Sequence, residues 1–428
     1  MHLARKATGA ALVAVLAAAG LAACSSEPQQ QEEVTSLNVY MPNYVLTDYL
    51  KTRFSEFTEE TGITINLTTA GDDQLDDQYK VALNARSSDI DVMNFRPMQN
   101  TQLFATNGWL ADLSPYLEGA PDAYDVDDLQ ANALQAVTVD GSVVAIPSTT
   151  ERQILYYRKD LLAAAGLEVP ETFEELQAAV EALHDPDNGV YGFVARGNVS
   201  AAVTQLSSFL YGFGGDWTDG DEGAVGSDAA ISAYEYYGGL LRDYGPPGTQ
   251  DMSWQQSLPI FAQGKAAFYP EGDSFFTNFL DETQSVVGDT VGYAEIPAGP
   301  AGHRPYSVPN TAYAISQYSE KKDAAWQFIQ WATSPEMALA LQSEGIPQAR
   351  DSAWADASAN ESFPEELRDV IVKSIADGVS HDRPQVTQVS LSREIVGKPL
   401  IVAINGGDVA EAAKAAEKEL TDLIASDY

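Results

Sequence analysis

The sequence predicts an α/β protein of more than one lobe, opening on a mostly parallel sheet flanked by helices. Three observations lead to it. Strand-like and helix-like stretches alternate from the start of the folded body, in a βαβαβ order over residues 37–93, and such a run lays parallel strands side by side with helices on the sheet faces. The 405 residues beyond position 23, of 428 in all, are enough for two or three domains. Two segments then interrupt the alternation, residues 147–150 and the Pro/Gly-rich stretch 297–305, and mark where the chain passes between lobes.

Leu37-Asn38-Val39-Tyr40 reads as a buried strand, and residues 46–61 as an amphipathic helix with Leu50, Phe54 and Phe57 on one side, closed by Gly62. Ile63-Thr64-Ile65-Asn66-Leu67 alternates as a strand, residues 75–85 are helical, and Ile90-Asp91-Val92-Met93 completes the run. Helices fit 100–107 and 121–135, and 137–146 reads as a hairpin around Asp140-Gly141. Ile154-Leu155-Tyr156-Tyr157 is the next strand. Residues 160–165 form a short helix stopped by Gly166, and 172–183 a longer one in which Thr172 and Glu175 make a capping box. Asp185-Pro186-Asp187-Asn188-Gly189 is a turn. Helices over 203–211, 229–244 and 257–263 lead to a strand at 266–269. The acidic, Gly-rich segment 214–228 lacks the spacing of a calcium loop, with no terminal Glu at the required position, and reads as a surface loop. Strands at 291–296 and 311–316 flank the connector, a helix spans 321–332, and the tail is helical over 339–344, 365–376, 391–404 and 409–424. There are no internal repeats.

At the N-terminus, Arg5 and Lys6 precede an Ala/Leu/Val run over residues 7–20, the layout of a removable export signal and too short for a membrane span. Leu21-Ala22-Ala23-Cys24 resembles the bacterial lipobox. That resemblance implies residues 1–23 as a lipoprotein signal peptide, a diacylglyceryl group on the Cys24 thiol, and two or three acyl chains such as palmitate in all, since one chain anchors only marginally. Residues 24–36 are polar and Gln/Glu-rich, the composition of a flexible tether. The expected location is extracytoplasmic, lipid-anchored to the outer face of the cytoplasmic membrane. Cys24 is the only cysteine, so disulfides are excluded and core packing alone must hold an exported body together.

Loss of the leader takes two positive charges with it, Arg5 and Lys6, and moves the formal charge from −38 to −40. So acidic a body is repelled by nucleic acid and by anionic lipid surfaces, which excludes both as partners. The histidines beyond the leader, His184, His303 and His381, are too scattered for a metal site, and no motif calls for a cofactor.

The body resembles the extracellular solute-binding proteins of ABC importers, in the group similar to maltodextrin-, sugar- and polyol-binding proteins. The likeness runs through Asn107-Gly108-Trp109-Leu110-Ala111-Asp112-Leu113, Ala145-Ile146-Pro147 with Tyr156-Tyr157-Arg158-Lys159-Asp160-Leu161-Leu162, and Phe261-Ala262-Gln263-Gly264-Lys265-Ala266-Ala267. Trp326-Gln327-Phe328-Ile329-Gln330-Trp331, Ser334-Pro335-Glu336 and Arg383-Pro384-Gln385 continue it. Each motif is weak alone; their order over nearly the whole chain is specific. The resemblance implies a periplasmic-binding-protein fold of class II type. Lobe 1 would hold residues 37–147 and about 306–345, lobe 2 residues 150–298 and about 346–428, with hinges at about 147–151 and 308–312. It further implies a monomer that closes around a solute and delivers it to permease subunits in the membrane.

A sugar or polyol needs acidic acceptors, Arg or Asn donors, and aromatic faces against its C–H side. Strand ends and crossings supply all three. In lobe 1 the candidates are Tyr44, Arg96 and Gln99; at the crossings, Glu151, Arg152 and Asn310; in lobe 2 and the tail, Arg196, Asn198, Trp217, Trp254, Glu271, Asp273 and Arg383. Each has a plainer reading. Arg96 and Arg383 would pair surface carboxylates, and Trp217 and Trp254 would be core; Trp109, Trp326, Trp331 and Trp354 sit at packing positions. A secreted carbohydrate-active enzyme would use paired carboxylates in such a cleft, but no nucleophile-elbow or zinc motif appears. The expected function is therefore capture without chemistry of a sugar, oligosaccharide or polyol, with a peptide, polyamine or iron complex as the alternative ligand.

Overall fold

Ser36–Pro42 (β1) pairs in parallel with both Thr64–Ala70 (β2) and Val92–Phe95 (β3) in the computed structural model, which describes residues 34–426. The leader, Cys24 and most of the tether lie outside the described residues. Leu37, Val39 and Met41 alternate onto one face of β1 and are fully buried. Each strand feeds a helix: Val45–Thr61 (α1), Asp72–Asn84 (α2) and Pro97–Thr106 (α3). Gly62 ends α1 at φ 76°, a left-handed turn that glycine adopts without strain. Pro97 opens α3 at its first turn, where a missing N–H costs nothing. The helices start within a few residues of the strand ends, so Tyr44, Asp72 and Arg96 collect at one edge of the sheet. This is the edge at which open α/β sheets bind ligands.

The remaining strands of the main sheet are Ile146–Arg158 (β4), Tyr191–Phe193 (β5), Ala266–Gly272 (β6), Val291–Glu295 (β7) and Ser307–Ile315 (β8). Their order is β2-β1-β3-β8-β4-β6-β5, with β7 also on β4. The two long strands β4 and β8 tie the halves together. Over Ile146 to Arg152 β4 pairs with β8, and from Gln153 on it pairs antiparallel with β6 and β7. Strand β8 is in turn antiparallel to β3.

Three expectations change. Residues 147–150 are no break between strands but part of the 13-residue β4, and the strand expected at 311–316 starts earlier, at Ser307. Pro147 and Pro309 lie inside these strands, and the register shifts around Asn310 accommodate them as a bulge. The helix expected over 121–135 is two short 3-10 turns and the helix Ala131–Gln135. Asp125 at φ 51° and an extended Leu129, bridged to Arg350, interrupt it.

In the second half every residue of Ala202–Gly212 (α4) is buried. It packs against Asp228–Tyr244 (α5) and the tail helix Val389–Ile404 (α6), which pairs with Val409–Ser426 (α7). Gly397 is required here: a Cβ would come 1.7 Å from the Val199 carbonyl oxygen, so α6 lies directly on the loop after β5. Within 214–228 the chain forms a small hairpin, fastened to α7 by Gly223 N–H to Thr421 Oγ1 (2.9 Å) and Gly226 N–H to Glu417 Oε2 (2.8 Å).

Candidate ligand-binding site

The crossing strands put Glu151 where the two halves meet. Its Oε2 accepts from Ser274 Oγ (3.0 Å) and its Oε1 from Tyr306 OH (3.1 Å), so two other segments hold one carboxylate. Gly272 makes room for it, since a Cβ there would lie 2.7 Å from the Glu151 carboxyl carbon. Glu151 keeps part of its surface open while protein surrounds it at longer range. Burial, with the negative charges of Asp273 and Glu271, pushes its carboxyl up to about 7, against the pull of Arg196 and the Ser274 hydroxyl.

Beneath it lie two buried ion pairs. Arg152 and Asp273 meet at 2.6 Å (Nε to Oδ2) and 2.5 Å (Nη2 to Oδ2), and Arg152 also donates to Thr150 Oγ1 at 2.7 Å. Burial holds the Asp273 carboxyl above its ordinary value, although Arg152 opposes this. Arg196 grips Glu271 with two bonds, 2.8 and 2.6 Å, and Gln205 and Tyr269 donate to the same carboxylate.

On the β1–β3 side, Arg96 pairs with Asp76 (2.5 Å) and Asp73 (3.1 Å) on the first turns of α2, and Tyr44 OH donates to Asp72 (2.7 Å). Burial alone would lower the Arg96 pKa; these carboxylates outweigh it and hold the guanidinium above its ordinary range. Asn94, fully buried at the end of β3, has no hydrogen-bond partner for either side-chain polar atom and lines a cavity of about 10 Å³ with Arg96 and Thr311.

The opposite wall comes from the loop after β5, α4 and α6. Arg383 holds Asp382 at 2.7 and 2.5 Å, and Thr204 donates to the same carboxylate at 2.7 Å. Burial opposes ionisation of Asp382, but Arg383 dominates and its carboxyl falls to about 2. Arg393 donates to Ser200 O (2.9 Å) and Thr204 Oγ1 (3.3 Å), and among the described residues no carboxylate lies within ion-pair distance of it. Burial and then the charge of Arg383 push its pKa well below the guanidinium value. Gln99 Nε2 reaches Ser390 Oγ at 3.3 Å from the other side. Trp254 is 40% exposed and meets Phe275 edge-on, with ring centroids 5.5 Å apart.

The sequence-derived candidates divide accordingly. Tyr44, Arg96, Gln99, Glu151, Arg196, Trp254 and Arg383 keep exposed surface. Arg152, Glu271 and Asp273 are fully or almost fully buried and support Glu151 from below, a correction to their reading as direct contacts. Trp217 is corrected too: it is fully buried in the apolar core around α4 and α5. Asn198 spends its Oδ1 on the N–H groups of Ser200 and Ala201 (both 3.2 Å), and Asn310 is exposed at the β8 bulge. Sequence reasoning missed Asp76, Ser274, Phe275, Tyr306, Asp382 and Arg393. Ser274 and Asp382 adjoin named candidates and were within reach of that signal; Arg393 sits in an unremarkable helical pattern and was not.

The sequence and the fold have known counterparts. Over 270 residues the chain is 31% identical to a mannitol-binding protein of Pseudomonas aeruginosa, covering 61% of this chain and 61% of that protein. A solute-binding protein of an ABC transporter from Agrobacterium radiobacter, solved in complex with ribitol, matches at TM-score 0.76 and 25% identity over 91% of this chain and 98% of that one. A second, from Agrobacterium vitis with bound D-mannitol, matches at TM-score 0.69 and 24% identity over 91% and 98%. The fold is thus the two-lobed one of periplasmic binding proteins, its lobes joined by β4 and β8. The family model described as bacterial extracellular solute-binding protein matches residues 44–339, from the end of β1 to the helix Pro335–Ser343, and on that match the chain belongs to this family.

Proposed function

We propose that this protein captures a sugar, oligosaccharide or polyol in the cleft around Glu151 and delivers it to the permease of an ABC importer, without chemistry on the ligand. The observation that carries the reading is Glu151 itself: a carboxylate on a crossing strand, held by Ser274 and Tyr306 from two other segments, with guanidiniums and an aromatic pair around it. That is the donor, acceptor and aromatic set that polyhydroxylated ligands require. The mannitol- and ribitol-binding relatives support the ligand class. Lobe 1 comprises residues 37–147 and about 306–345, lobe 2 residues 150–298 and about 346–428, and bending at 147–151 and 308–312 closes the cleft. A closed, ligand-bound monomer docks on the permease. Lipid on Cys24 holds it at the outer face of the cytoplasmic membrane; among the described residues no helix is long and apolar enough to cross one.

A thermal-shift screen over polyols, monosaccharides and oligosaccharides tests this, because a ligand bound only by the folded state raises its melting temperature. A rise with at least one carbohydrate, with the ligand recovered unchanged, is the expected result. A rise only with putrescine or a peptide would overturn the substrate class, and cleavage products would overturn capture without chemistry.

A further inference from the structure

We infer that the cleft takes one small polyhydroxylated unit, a pentitol, hexitol or monosaccharide, and excludes oligosaccharides; this rests on the function proposed above. The first ground is a seal of side chains along the tail side of the cleft. Tyr306, bonded to Glu151 at 3.1 Å, belongs to a buried apolar cluster with Met98 and Val308. Met98 Sδ in turn accepts from Gln385 Nε2 at 3.9 Å, and the next residue, Gln99, reaches Ser390 on α6 at 3.3 Å. Contacts therefore run from the crossing strands to the tail helix. A chain of sugar rings leaving the cleft on this side would have to break them.

The second ground is the aromatic supply. Each pyranose ring of an oligosaccharide presents an apolar C–H face, and a site for several rings needs several flat platforms in sequence. Trp254 is the one tryptophan among the described residues exposed to as much as 40%. Trp217 is core, Trp354 lies under the Arg152 guanidinium at 4.9 Å, and Trp331 packs on Phe54 and Phe57. That leaves Trp254, with Phe275 against its edge, as the single tryptophan platform.

The third is the density of hydrogen-bonding groups. Glu151, Arg96 with Asp76, Arg383 with Asp382, and Arg393 come from separate elements around the same space. Hydroxyls on successive carbons, each able to donate and accept, match such a set. Leaving several of these groups desolvated and unpaired is what rejects a poorly matched ligand.

Titration calorimetry of the full-length protein with ribitol, mannitol, maltose and maltotriose reads this directly. The expected result is a pentitol or hexitol Kd at least about 100-fold below that for maltotriose, equivalent to about 2.7 kcal/mol. Maltotriose binding as tightly as, or more tightly than, the polyols overturns the size limit while leaving carbohydrate capture standing. Heat with none of the four overturns the carbohydrate reading and the size limit with it.

Discussion

Arg152 and Asp273 form an ion pair with no exposed side-chain surface, and it fastens the crossing strand β4 to the turn after β6. Asp273 Oδ1 also accepts from the Arg152 backbone N–H at 3.3 Å, so the pair fixes main chain as well as side chain. Glu151 is the neighbour of one partner and Ser274 of the other, and the pair thereby sets the geometry of the cleft carboxylate.

Removing one member leaves the other buried and unpaired. Asp273→Ala should therefore lower unfolding free energy by about 3–5 kcal/mol, measured by denaturant titration. The double variant Arg152→Met, Asp273→Leu should recover most of that loss, because two apolar groups of similar volume leave no stranded charge. A double variant as unstable as the single one would show that the pair contributes more than charge compensation.

The Glu151 carboxyl gives a pH dependence of known sign. Its pKa rises on folding from 4.5 to about 7, so the folded state binds the proton more tightly than the unfolded chain. The associated stability is present at pH 4.5 and below and is lost as pH climbs to 7, by up to about 3 kcal/mol. Glu151→Gln should remove that slope and be the more stable form at pH 8. Ligand hydroxyls donate to the ionised carboxylate, so affinity should rise with pH between 6 and 8, by at most about tenfold per pH unit. Calorimetry across that range should find the Glu151→Gln protein nearly flat; a wild-type affinity independent of pH would remove Glu151 from the contact set.

Trp254 and Trp217 separate function from stability. Trp254→Ala should cost about 1–2 kcal/mol of ligand binding through its lost face, with the melting temperature of the free protein nearly unchanged. Trp217→Ala empties a filled core position and should cost about 3–5 kcal/mol of stability. Calorimetry and thermal unfolding on both variants give the comparison, and the opposite pattern would exchange their roles.

The same two residues show what sequence can deliver. The βαβ order and most helices follow from apolar period and caps, as at Gly62 and Thr172, because those signals are local. The crossing strands were harder. Pro147 opens a stretch that interrupts the sequence pattern, yet it lies inside β4 opposite the register shifts around Asn310, and a bulge is a property of two strands together. Trp217 and Trp254 both follow a loop, and only packing against α4 and α5 decides that one is core. Acidic and basic residues near strand ends were legible as candidates from the sequence alone. Which of them face the cleft depends on depth, and Arg152, Glu271 and Asp273 lie one layer too deep.

Arg393 is the sharpest case of a group whose placement opposes stability. Its guanidinium is enclosed beside Arg383, with carbonyl and hydroxyl acceptors but no carboxylate in ion-pair range among the described residues, and the folded state disfavours its charge. The negative charge of Asp382, already paired with Arg383, offsets this only in part, so the half-buried cation is held at a cost. Arg393→Gln keeps a donor for the Ser200 carbonyl and removes the charge, so the free protein should melt about 1–3 °C higher. The ligand loses a charged donor to its hydroxyl oxygens, and affinity should fall at least about tenfold, as expected for a hydrogen bond to a charged group. Thermal unfolding of free and ligand-saturated protein reads both effects in one experiment. A lower melting temperature with unchanged affinity would make Arg393 a structural clamp on the loop after β5 and take it out of the binding site.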